Sequence, residues 1–168
     1  MAIAQALIAT VLLTLAGNDG GGWVLRPATA SNGPLLTFTI SDIRRYAFEC
    51  TPQAVIVTQT GVTKLISLTD GKAIGDDADA TMPDGAAMMA IYGGKGDPKF
   101  LPASARKNPA GGWDLTLRMS RKDPQLRWVA KSEMMSIFTT GYTTAVQMDN
   151  ESRATWQEFL TACDALPT

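Results

Sequence analysis

Histidine is absent from the 168 residues. That removes Ser-His-Asp and Cys-His catalysis and every imidazole metal site, since no other side chain has an ordinary pKa near neutrality. Cysteine occurs only twice, at Cys50 and Cys163. Two thiolates do not make a structural zinc site unless carboxylates complete the four ligands. Charge is also scarce: Asp, Glu, Lys and Arg make up 18% of the chain, and 15 cations against 16 acids leave a net charge of −1. Nucleic-acid binding draws on a clear basic excess, so this balance argues against a nucleic-acid partner.

No apolar run reaches the roughly 20 residues of a comfortable membrane-spanning helix. The longest is residues 2–17, AIAQALIATVLLTLAG, which has the length of a signal-peptide core. Thr14-Leu15-Ala16 offers a small-x-small cleavage site, although no Lys or Arg precedes the run. The expectation is a signal peptide over residues 1–16 and a single β-rich domain over 17–168, periplasmic or secreted, with no stable membrane span after cleavage. An uncleaved anchor or a buried N-terminal helix is the alternative.

Fifteen glycines and nine prolines punctuate the rest and imply many turns. Leu35–Ile40 is a run of β-formers, and Ile43–Cys50 alternates, with Tyr46, Phe48 and Cys50 on one face. Residues 54–60 and 63–69 suggest a hairpin turning at Gly61-Val62. Residues 70–85 and 95–112 read as two long loops around a buried strand at 86–92. Residues 113–120 alternate, with Trp113, Leu115, Leu117 and Met119 inward. Asp123-Pro124 starts a short helix over 124–131, and a second hairpin, 134–139 with 142–148, turns at Thr140-Gly141. A final helix spans 152–166, with Trp156, Phe159, Leu160 and Cys163 at i, i+3, i+4 and i+7. The predicted fold is mainly β (α+β): an antiparallel, sandwich-like sheet with a C-terminal helix packed on it and one short helix before the last hairpin.

Two cysteines in an exported chain are most simply one disulfide. Cys50 ends a core-facing strand and Cys163 lies on the apolar stripe of the last helix, so both point inward; two buried thiols are the alternative. The outline of leader, strand ending in Cys50, β-rich middle and closing helix Trp156-Gln157-Glu158-Phe159-Leu160-Thr161-Ala162-Cys163 resembles small secreted domains of Gram-negative bacteria whose last helix ends F-L-x-x-C. The resemblance implies a periplasmic location and the disulfide. It brings no activity with it.

The catalytic and metal motifs are incomplete. Asp77-x-Asp79-x-Thr81, in a stretch with Asp70, Asp76 and Asp84, begins like a calcium loop, but Met82 stands where Gly is needed and Met88 where a bidentate Glu is needed. Ser104-x-x-Lys107 matches the start of a penicillin-recognising site without its partner motifs. Gly93-Gly94-Lys95-Gly96 lacks the spacing of a phosphate loop and reads as a turn. Asp42, Glu49, Asp114 and Glu133 lie near predicted elements, with nothing to single out an acid–base pair. No cofactor and no catalytic residue is assigned.

Residues 95–131 hold nine cations (Lys95, Lys99, Arg106, Lys107, Arg118, Arg121, Lys122, Arg127, Lys131) against three acids. If folding gathers them they can steer an anionic partner, with Arg118, Arg121 and Lys122 the closest set. Ordinary solvated loops and strand faces are the plainer account of them. The leading expectation is a non-enzymatic exported domain that binds or assembles with a protein or other component of the cell envelope. A histidine-free hydrolase or lyase acting on an envelope polymer, and a carrier whose apolar pocket is lined by Met88, Met89, Met134 and Met135, are the alternatives.

Overall fold

The computed structural model describes residues 21–66, 72–74 and 81–167, with backbone alone for 81–86. The expected signal peptide and the aspartates Asp70, Asp76, Asp77 and Asp79 lie outside the described residues. Among these residues nine strands form one curled antiparallel sheet: β1 (Gly22–Arg26), β2 (Leu35–Ile40), β3 (Ile43–Cys50), β4 (Val55–Val62), β5 (Thr81–Tyr92), β6 (Leu101–Lys107), β7 (Trp113–Met119), β8 (Met134–Thr139) and β9 (Tyr142–Gln147). Two helices follow β7 and β9, α1 (Pro124–Val129) and α2 (Asn150–Asp164). The strand order is β1-β2-β3-β4-β7-β6-β5-β8-β9. The mainly antiparallel fold, the terminal helix and the short helix before the last hairpin are as the periodicity predicts.

Strand alternation builds the inner face. Leu36 and Phe38, Tyr46 and Phe48, Val55 and Val57, Leu115 and Leu117, Met89 and Ile91, and Met135 and Ile137 are all buried. α2 packs against β1 and β2, and its Trp156 meets Trp23 edge-on at 5.3 Å and Phe48 at 4.7 Å between ring centroids. The indole N–H of Trp156 donates to Leu126 O at 2.9 Å, so burying the largest side chain of α2 leaves no orphan donor and fixes α2 against α1. Asp149 caps α2 by accepting from Ser152 N, and Asp123 caps α1 by accepting from Gln125 N.

Three expectations are corrected. Residues 63–69 do not return against β4, whose neighbours are β3 and β7; of the expected strand, residues 67–69 lie outside the described residues. Gly61, at φ 70°, marks a register shift, with Gln59 opposite Leu115 and Val62 opposite Trp113. The alternating run of β7 offers β4 a longer ladder than the local segment does, and Leu65 is a buried plug instead. Second, residues 95–112 are not all loop: β6 lies between β5 and β7. Its fully buried residues are only Ala103 and Ala105, with Leu101 partly buried against the core; alanines are too small to give a strong apolar alternation, and Pro102 argues against an interior strand. Third, β5 begins at Thr81, so the expected loop 70–85 is shorter. Pro83 and Gly85 fall in the register shift between Met82 and Ala87, where an irregular ladder tolerates them.

Candidate functional site

β5 is apolar on both faces. Ala87, Met89 and Ile91 enter the core, while the alternate residues Met88, Ala90 and Tyr92 face outward. A strand with two apolar faces normally lies between two covering layers. Among the described residues the strands form one sheet, α2 packs on β1 and β2, and α1 meets β5 near Gly93.

The neighbours of β5 extend the apolar surface. Ala90 pairs with Phe138 and Tyr92 with Ser136 on β8, and Met88 pairs with Pro102 on β6. Phe138 lies 6.0 Å from Tyr92 and 6.3 Å from Phe100 between ring centroids. Ala90 is fully buried among these neighbours. Phe100 and Met134, at the margins, are 44% and 52% exposed, a costly arrangement for large apolar side chains if it served only folding.

Gln125 fixes one border of this surface. It is only 4% exposed. Its Oε1 accepts from Gly93 N at 2.9 Å, and its Nε2 reaches Lys95 O and Asp97 O, each at 3.3 Å. A Cβ on Gly93 would collide with the backbone of Trp128 and Val129, so only glycine lets the chain pass this close to α1. The Lys95 ammonium stands 5.9 Å from the Trp128 ring. The Gly93-Gly94-Lys95-Gly96 stretch is the turn expected, wrapped around α1. Lys95, Lys99 and Lys131 are exposed near this border, with Asp97 between the first two in the chain and Glu133 just after the third.

The three cations singled out in the sequence have separate settings. Arg118 is exposed on the outer face of β7, opposite Ile56. Lys122 is exposed in the turn after β7. Arg121 is half-buried and donates to three carbonyls: Pro52 O at 2.8 Å, Leu166 O at 3.2 Å and Pro167 O at 3.4 Å. It ties the turn after β3 to the end of α2, the two segments that the Cys50–Cys163 disulfide also joins. The disulfide is as expected.

The remaining motifs dissolve into the fold. Ser104 faces outward, its hydroxyl 3.5 Å from Thr116 O, whereas Lys107 lies 5.8 Å from the ring of inward-facing Trp113, so the two form no dyad. Met89 and Met135 are buried inside and Met88 and Met134 face outward, so these four do not line a common cavity. Asp114 accepts from Gly61 N and from Asn108 Nδ2, a structural post for the β4 bulge. Asp42, Glu49 and Glu133 sit in the β2–β3 turn, on β3 and before β8. No group of three metal-ligating side chains occurs among the described residues, and no helix there is long and apolar enough to cross a membrane.

The aromatic surface was missed in the sequence. Its signal was present in residues 86–92, AAMMAIY, which is apolar without alternation. No protein-family model, curated protein or solved structure matches the chain.

Proposed function

We propose that this is an exported domain that binds a protein of the cell envelope through the outer face of β5 and β8. The observation that carries the reading is the second apolar face of β5, which no described element covers. Such a surface is stabilised by a partner that removes it from water. The exposed Lys95, Lys99 and Lys131, with Arg118 farther across the same sheet, suit a partner with an apolar strip flanked by acids. Export is supported by the buried disulfide, which persists in oxidising compartments, and by the apolar leader and the resemblance to secreted Gram-negative domains.

A photo-crosslinking residue placed at Phe100 or Met134 in the native host tests the binding face, with Glu158 on the exposed side of α2 as control. The expected result is one adduct from both surface positions, of a mass different from twice the chain, abolished by Phe138→Ser and absent from the control. Equal labelling at Glu158, or no adduct from either surface position, would remove the reading. Intact mass of the exported material tests the leader separately: loss of residues 1–16 is expected.

A further inference from the structure

The two edges of the sheet are unlike. β1 ends in Arg26, followed by Pro27, and α2 packs against it. Charge, proline and a covering helix are the usual guards against strand addition. β9, YTTAVQ, has no charge, no proline and no register shift.

The β8–β9 turn consists of Thr140 and Gly141, with Thr139 opposite Tyr142. A two-residue hairpin makes that first pair a hydrogen-bonded one, and the ladder then alternates. The backbone groups of Tyr142, Thr144 and Val146 therefore serve β8. Met148 N continues the series, donating to Glu133 O at 2.8 Å. The N–H and C=O groups of Thr143, Ala145 and Gln147 point away from β8, and no backbone of the described residues pairs with them. Their side chains are exposed on the outer face.

We infer that β9 is a homodimer edge, at which a second copy adds its own β9 antiparallel about a twofold axis through Ala145. In that register Ala145 faces its own copy and Thr143 faces Gln147 of the second chain, twice. The outer face then carries one pair of small side chains flanked by two neutral hydroxyl–amide pairs, all three at hydrogen-bonded positions of the new ladder. The inner face sets Thr144 beside Val146, both β-branched. The strand is thus complementary to itself, as a twofold interface demands. A strongly charged partner strand would find nothing to pair with. The dimer joins the two sheets edge to edge and leaves the outer face of β5 and β8 open, so it stands independently of the reading above.

Sedimentation equilibrium of the purified, disulfide-bonded protein is the test. Wild type is expected at twice the chain mass. Ala145→Pro removes an outward N–H without breaking the β8 ladder and is expected to give a monomer with unchanged far-ultraviolet circular dichroism. If that variant does not fold, a charge swap decides. Thr143→Lys with Gln147→Lys places like charges opposite one another twice and is expected to weaken the dimer about tenfold. Thr143→Lys with Gln147→Glu places opposite charges there and is expected to restore it at low salt. A wild-type monomer at the highest soluble concentration overturns the inference, and so does a dimer that responds alike to both double substitutions.

Discussion

Cys50 and Cys163 are 113 residues apart in the chain, yet their Cα atoms lie 5.6 Å apart and a disulfide joins them. The bond links the end of β3 to the last turns of α2. Both residues are essentially inaccessible to water.

Closing so long a loop in the unfolded chain is worth about 4–5 kcal/mol in the chain-entropy model. Replacing both residues, Cys50→Ala with Cys163→Ala, is expected to lower Tm by about 10 °C for a domain of this size. Calorimetry of the double variant against the oxidised wild type measures this. A change of only a degree or two would mean that packing of α2 alone holds the ends together.

Arg121 adds a non-covalent tie at the same place. Arg121→Met retains the apolar stem but leaves the carbonyls of Pro52, Leu166 and Pro167 without their donor. Because the site is only half-buried, water can replace part of the loss, and a cost of about 1–2 kcal/mol is expected. Hydrogen exchange should quicken in the last turn of α2. Arg118→Met, on the open face of β7, should leave stability unchanged. Equal effects of the two substitutions would show that Arg121 is not a tie.

Gln125→Ala orphans the N–H of Gly93 and frees the backbone of Lys95 and Asp97. An unsatisfied buried donor costs about 1–3 kcal/mol. Urea denaturation should show that loss, and amide protection of residues 93–97 should fall before that of β5. Retained protection in this segment would place the control of the loop elsewhere.

The pKa of Asp149 is lowered from 3.8, first by its hydrogen bonds with Ser152 at the start of α2 and also by the Arg153 charge. A group whose folded pKa is depressed stabilises the fold above its unfolded value, and that contribution fades as pH falls through the lowered one. The capping contribution is therefore present above the ordinary value of 3.8 and declines below it, as pH falls through the lowered one. Asp149→Ala should lower Tm at pH 7, and the difference from wild type should shrink toward pH 2. A difference independent of pH would argue against the charged cap.

Much of the fold was legible. Ile43–Cys50 and Trp113–Met119 alternate large apolar with polar residues, and only a half-buried strand satisfies that pattern. The apolar stripe of α2 gave away its packing face, and Cys163 on that stripe indicated its covalent partner. β6 was hidden because Ala103 and Ala105 bury little area and Pro102, with Pro98 and Pro109 on either side of the strand, resembles a loop marker. The pairing of β4 with β7 was hidden because a register spanning more than fifty residues leaves no local trace. The candidate face was partly visible, since AAMMAIY shows apolar residues on both sides of a strand without showing which side the described elements leave uncovered.

The absence of histidine, the near-neutral charge, the strand and helix periods and the inward cysteines are properties of composition and spacing. They determined the excluded chemistries, the fold class and the disulfide, because each depends on residue type or on a repeat of two or 3.6 positions. The assignment of Arg121 to three carbonyls, the hold of Gln125 on the Gly93 turn, the face of β5 that no described element covers and the outward backbone groups of β9 were decided by the tertiary structure. Each depends on which distant segments come to lie side by side, and burial and hydrogen-bond competition over the whole chain settle that together.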